Sequence, residues 1–186
     1  VKPLYTSRGY LWSSQSSGEL RKARDQDEAA RIWLGRKSAF GAMGQINDYM
    51  CLDGTIPVSE LPYVLRRIRE LSQQFGLAVG NVFHAGDGNM HPLILYDANK
   101  PGDLETCEAF GAEILKLCVE VGGCLTGEHG VGVEKRDLMN VQFSPMDLEA
   151  QMWLKDVFDP KWLLNAAKVF PLESAQAHRA AQLAAE

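Results

Sequence analysis

The sequence predicts an α+β fold, a small antiparallel sheet with helices packed on one face. Three features lead there. Apolar residues recur at helical spacing over two long stretches, near 61–75 and 104–121. Two β-rich runs, LAVGNVFHA and HPLILYD, flank a glycine turn and read as a hairpin. The overall order is helix, strand, helix, hairpin, helix, strand, helix, and a hairpin among alternating elements fits an antiparallel layer.

Residues 1–18 are rich in Ser, Gly and Tyr and keep no period, so a poorly ordered or foreign lead-in is expected there. From Glu19 to about Phe40 the pattern is charged and helical, with Leu20, Ala29, Ile32, Trp33 and Ala39 on the expected inner side. GQINDYMCLDGTIP then reads as a strand that ends at the Asp53-Gly54 turn signal. Ser59 is the expected cap of a helix carrying Leu61, Val64, Leu65, Ile68, Leu71 and Phe75 inward, and Gly76 stops it. After the hairpin, Leu104, Cys107, Ile114, Cys118 and Val121 mark a second long helix closed by Gly122-Gly123. A short strand, CLTG, precedes Glu128-His129-Gly130. Ser144-Pro145-Met146-Asp147 is a capping box with Pro at the first helical position. Its helix is expected to turn Met146, Ala150, Trp153 and Val157 inward and to end near FDP. The expected division is a lead-in over 1–18, a domain over 19–172 and an alanine-rich tail over 173–186.

Composition narrows the function classes. At 46% hydrophobic and 23% charged residues the chain is built like a water-soluble domain, and no apolar run is long enough to span a bilayer. A formal net charge of -5 argues against binding nucleic acid or acidic membranes through charge alone. The start shows no basic-then-apolar signal pattern. The four cysteines are scattered without CxxC spacing, and Cys107 and Cys118 fall in a helical pattern. Reduced thiols and a cytoplasmic location are therefore expected.

The chemistry gathers in two glycine-flanked clusters. VFHAGDGNMH places His84 and His91 where two hairpin strands meet a turn at Gly86–Asn89, so the imidazoles become candidate cross-strand neighbours. TGEHGVG places Glu128 and His129 at the end of a later strand. Three of the four histidines lie in these clusters; His178 lies in the tail. Two imidazoles and a carboxylate form the ligand set of an open catalytic metal site. Turns also gather His and Gly for hydrogen bonding alone, and spacing leaves both readings open. In an extended strand Glu128 and His129 would point to opposite faces. A bend at the glycines would free one as ligand and the other as base.

Five segments resemble one family: NVFHAGDGNMHPLILYDANKPGD, CVEVGGCLTGEHGVGVEK, IWLGRKSAF, DYMCLDGTIP and FDPKWLLNAAKVFP. Together they resemble the C-terminal domain of FAD-linked oxidases over about residues 19 to 172. The family groups bacterial glycolate oxidases with D-lactate and D-2-hydroxyglutarate dehydrogenases, and the motifs sit nearest the glycolate oxidase branch. The resemblance implies a ferredoxin-like antiparallel sheet, the cap domain of the vanillyl-alcohol-oxidase type. It implies oxidation of a 2-hydroxy acid to a 2-oxo acid, glycolate to glyoxylate foremost, with hydride passing to FAD. D-lactate and D-2-hydroxyglutarate are the alternative substrates.

By motif matching, His84, His91 and Glu128 would hold a divalent metal (Zn, Mn or Fe), and His129 would be the base. Arg36, His129 and Asn89 would contact substrate, and Asn89 and Glu128 would lie toward the cofactor. Lys135 and Lys168 match motifs, while Asp87 and Asn89 also suit a turn. Two departures stand out: Val58 replaces the arginine of the family's DGTIPR, and Leu93 stands where some relatives carry a further polar ligand. In the family an FAD-binding domain precedes this one, and the cap has an upstream strand and helix. The expectation is a fragment that needs an FAD domain, with iron–sulfur and flavoprotein partner subunits and a peripheral place at the inner membrane face through them. Readings of another class are a flavin-free metal-dependent hydrolase and a non-catalytic subunit-binding module.

Overall fold

The computed structural model describes residues 4–6, 9–11 and 23–184. Most of the lead-in, and Leu20 of the expected first helix, lie outside the described residues. The chain divides into two compact units, Val1–Gly41 and Ala42–Glu186. In the first, strands β1 (Leu4–Thr6) and β2 (Gly9–Leu11) pair antiparallel. Helix α1 (Gln26–Lys37) is capped by Asp25, whose carboxylate accepts from Glu28 N at 2.7 Å. Ile32 and Trp33, expected on an inner face, are exposed together with Leu34. Three consecutive apolar residues point around a helix rather than along one stripe, so no single face could collect them.

The second unit follows the expected alternation as far as the second long helix. Its elements are β3 (Asp48–Cys51), β4 (Gly54–Thr55), α3 (Leu61–Phe75), β5 (Val79–His84), β6 (Asn89–Tyr96), α4 (Asp103–Glu120), α5 (Met139–Gln142), α6 (Pro145–Phe158) and α7 (Leu172–Leu183). A short helix, α2 (Ala39–Met43), spans the boundary between the units. The small antiparallel sheet centres on β6. Strand β5 runs along one edge, and β3 and β4 share the other in sequence. Pro92 sits mid-strand and cannot return a ladder bond to Leu52 O, which accepts from His91 Nδ1 instead. It lies opposite the break between β3 and β4, where only Leu52 N donates, to Pro92 O at 3.0 Å.

Helix α4 covers one sheet face. Gly54 lies so close to it that a Cβ would stand 2.7 Å from Cys118 Sγ, and a Cβ on Gly111 would stand 3.1 Å from Leu52 Cδ2 and 3.4 Å from Met50 Sδ. Gly54 pairs with Met90 and Met50 with Ile94, so the even-numbered residues of β6 face α4. The odd-numbered residues, Asn89, His91 and Leu93, project from the other face together with their ladder partners His84 and Cys51. Phe75 of α3 stacks on Phe110 of α4 at 5.3 Å, joining the two long helices. Burial pushes the Cys107 thiol up to about 11 and the Cys118 thiol up to about 12, as suits inert core thiols.

Several boundaries differ from expectation. Ser59 does not cap α3: it lies in a 3-10 turn, Val58–Glu60, that leads into the helix, whereas Gly76 ends it in the left-handed conformation. Leu104 is exposed, because α4 turns Phe110, Ile114 and Leu117 inward instead. CLTG forms no strand beyond the single bridge Thr55↔Cys124. Its other amides are drawn elsewhere: Leu125 N donates to Gln142 Oε1, and Gly127 N to the Asp53 carbonyl and carboxylate. The capping box at Ser144 and Asp147 is present. The inner face of α6 is Leu148 and Met152, while Met146, Ala150, Trp153 and Val157 are exposed. Met152 joins Trp162, Phe170 and Ala175 in a second small core. The alanine-rich tail contributes α7, in which buried His178 Nε2 bonds Asp156 Oδ2 at 2.7 Å.

Candidate functional site

The hairpin turn is held against the strand after β4. Ile56 N donates to Gly88 O at 2.9 Å, and Gly88 has φ 72. A Cβ there would stand 2.0 Å from Ile56 O, so only glycine fits. His84 pairs with Asn89 and His91 with Val82, so the two histidines are diagonal rather than opposite. The turn falls at residues 85–88, one residue earlier than expected, so His84 meets Asn89 rather than His91. The rings still meet, edge to face, with centroids 5.5 Å apart. His91 is buried, and its Nδ1–H donates to Leu52 O at 3.1 Å, which leaves Nε2 facing Glu128 Oε1.

The second cluster is gathered by Asp53, whose side chain is 0% exposed. Its Oδ2 accepts from Thr126 Oγ1 at 2.8 Å, Gly127 N at 2.9 Å, Glu128 N at 3.1 Å, His129 N at 2.9 Å and Lys135 Nζ at 3.2 Å. Burial alone would raise this carboxyl. The bonds from His129 N–H, the Thr126 hydroxyl, Glu128 N–H and Gly127 N–H outweigh burial and hold it well below the usual carboxylate range. Residues 126–129 therefore wrap one anion and are not extended, so adjacent Glu128 and His129 need not diverge. Gly127 allows the wrap to touch the hairpin: a Cβ there would lie 2.7 Å from Asn89 Oδ1 and 2.9 Å from Thr55 Cγ2.

The two clusters converge. Glu128 Oε1 lies 3.1 Å from His91 Nε2 and 3.9 Å from His84 Nε2, and the His129 ring stacks on His91 at 5.2 Å. Asp53, His91, Glu128 and His129 each offer a ligand atom within 4.8 Å of the others, as do Cys51, His91 and His129. The saturated carboxylate of Asp53 makes it an organiser rather than a ligand. Asn89 is buried, and its Oδ1 has no hydrogen-bond partner among the described residues. Lys135 is buried in the Asp53 network, where its Nζ also donates to Thr126 Oγ1 at 3.1 Å. Lys168 is exposed in the loop before α7, Leu93 is fully buried in the sheet, and Asp87 N donates to His84 O in the turn. Val58 lies in the 3-10 turn before α3, and Arg36 in the last turn of α1, in the first unit.

A family model for FAD linked oxidases, C-terminal domain, matches residues 12–169. The chain belongs to this family. It is 52% identical over 168 residues to the glycolate oxidase subunit GlcD of Escherichia coli (strain K12), which covers 90% of this chain and 33% of that protein. The corresponding Bacillus subtilis (strain 168) subunit is 32% identical over 152 residues, 81% of this chain and 32% of that protein. A D-lactate dehydrogenase of Archaeoglobus fulgidus is 36% identical over 120 residues, 63% of this chain and 26% of that protein. The chain thus spans about a third of the length of the first two curated relatives.

As a member of the FAD-linked oxidases, the chain places its glycine-flanked motifs at one end of the sheet, on the face away from α4. The donor set suits a divalent ion: Nε2 of His91 is presented by the Leu52 carbonyl, and a carboxylate oxygen lies near both imidazoles. Asp53 carried no functional signal in the sequence beyond a turn-forming Asp-Gly pair. Cys51 looked like one more scattered cysteine. Burial, with Asp53 close by, pushes its thiol up from the ordinary value. Among the described residues no helix is long and apolar enough to cross a membrane.

Proposed function

We propose that this chain is the substrate-gripping domain of an FAD-dependent oxidoreductase that converts a 2-hydroxy acid, glycolate foremost, to its 2-oxo acid. The observation that carries this reading is the approach of Glu128 Oε1 to both His84 Nε2 and His91 Nε2, with His129 stacked alongside. His84, His91 and Glu128 are the residues that would hold a divalent ion, Zn, Mn or Fe. When bound, that ion would lower the pKa of the substrate hydroxyl, and oxidised FAD would take up the hydride. His129 accepts the hydroxyl proton on a ring nitrogen. Its exposed position on a glycine-flanked loop leaves the ring open to substrate. Asn89 faces substrate or flavin in this reading, supported by its orphaned Oδ1, and Glu128 lies on the cofactor side. Arg36 is assigned the substrate carboxylate on its IWLGRKSAF motif alone, where a planar fork suits a bidentate acid. The family resemblance also supports an FAD-binding domain, iron–sulfur and flavoprotein partners, and a cytoplasmic place at the inner membrane face.

The test uses the full-length protein containing this chain, loaded with FAD, and an artificial electron acceptor. Glycolate should drive acceptor reduction faster than D-lactate, and H129A should lower kcat by roughly 10²–10⁴-fold. Saturating FAD with no turnover of any 2-hydroxy acid would sink the reading. A preference for D-lactate would keep the reaction class and change the substrate, a reading favoured by the relatives named D-lactate dehydrogenase.

A further inference from the structure

We infer that Cys51, His91 and His129 form a second coordination set at this site, selective for thiophilic metals such as Zn²⁺, Cd²⁺ and Cu⁺. Cys51 ends β3 opposite Leu93, two residues along β6 from His91 and on the same face. Its Sγ and one nitrogen from each imidazole all lie within 4.8 Å of one another. Ligands around a tetrahedral zinc, with bonds of about 2.3 Å to sulfur and 2.0–2.1 Å to nitrogen, stand roughly 3.5 Å apart. A shift of about an ångström closes the set. Rotation of the exposed His129 side chain can supply it while the His129 N–H stays bonded to Asp53 Oδ2.

The other two members suit the role. His91 is held by its Nδ1–H bond to Leu52 O, the kind of outer contact that orients a ligating imidazole. Among the described residues the Cys51 thiol bonds only Leu52 O, at 3.5 Å, so sulfur gives up this one bond and its proton to solvent when it turns to a metal. Cys51 is a free cysteine, as are the other three. A thiolate with two imidazoles is a softer set than two imidazoles with Glu128, and the two sets compete for His91. If the oxidoreductase reading holds, a thiophilic metal here also captures the base His129 and acts as an inhibitor. Binding itself does not depend on that reading.

Cadmium reports the sulfur directly through the ultraviolet charge-transfer band of a Cd–thiolate bond. The reduced full chain carrying C124S, which removes the exposed cysteine, is titrated with Cd²⁺. About one equivalent should develop the band. C51S should abolish it, with the circular dichroism unchanged, and H129A should weaken Cd²⁺ at least ~10-fold. H84A should leave the band intact, which separates this set from the one assigned to the oxidation. Absence of the band, or its survival in C51S, would overturn the inference. A failure of H84A to affect a harder ion such as Mn²⁺ would count against the oxidation site and leave the cadmium result standing.

Discussion

Replacing Asp53 by Asn removes one charge from the centre of the molecule and changes almost no volume. In the native chain a single oxygen, Oδ2, accepts from Thr126, three consecutive amides and Lys135. An amide oxygen could take that place, but it accepts more weakly, and the NH₂ beside it meets the Glu128 N–H that Oδ1 accepts at 3.1 Å. Lys135, equally buried, loses its counter-charge. Breaking a buried pair by removing one partner costs about 3–5 kcal/mol, and the loss of charge-assisted bonds lies within the same range because they share that oxygen. Total stability of a domain is only about 5–15 kcal/mol, so D53N should lose about a fifth of it or more.

Urea unfolding followed by circular dichroism measures this difference. In the same variant the amides of Gly127, Glu128 and His129 should exchange with solvent much faster, because their common acceptor is gone. The paired substitution D53N/K135M separates the two contributions. It removes the stranded lysine charge and should recover part of the stability without restoring amide protection. A loss below about 1 kcal/mol in D53N, with protection at 127–129 unchanged, would refute the idea that Asp53 organises this segment.

G88A should cost more than 2 kcal/mol, since φ 72 and a Cβ 2.0 Å from Ile56 O both oppose any side chain; thermal unfolding reads it, and a neutral result would mean the turn moves freely. L148A should destabilise by about 2–5 kcal/mol while M146S stays within about 0.5 kcal/mol, which checks by denaturant melts which face of α6 is buried. Burial opposes ionisation of Asp156, but bonds from Trp162, His178 and Gln182 prevail and hold its carboxyl below the ordinary value. A depressed carboxyl contributes stability that is present above the unfolded pKa of about 3.9 and is lost as pH falls through the folded pKa. Acid titration of Trp162 fluorescence should therefore show α7 loosening below about pH 4, and D156N should flatten that transition. An unchanged profile in D156N would remove Asp156 from that role.

What the sequence made legible follows the range over which each contact acts. Helix α3 is readable because Leu61, Val64, Ile68 and Leu71 recur every three or four residues, and local spacing alone selects one face. Helix α6 misleads because apolar residues lie all around it, and only the distant Trp162, Phe170 and Ala175 select Met152 as the inner residue. The site divides in the same way. His84, His91, Glu128 and His129 stand out through rare residue types among glycines, a signal each motif carries by itself. Asp53 does not, because its acceptors' partners lie 73 to 76 residues further along the chain and its own neighbours spell a turn. The same long-range demand turned CLTG from a strand into an anion-wrapping loop: amides that would have extended the ladder are committed to Asp53 and Gln142 instead. That loss of regular structure is also what lets neighbouring Glu128 and His129 approach His91 together. The irregularity that hid the strand from pattern reading is therefore the feature that assembles the site.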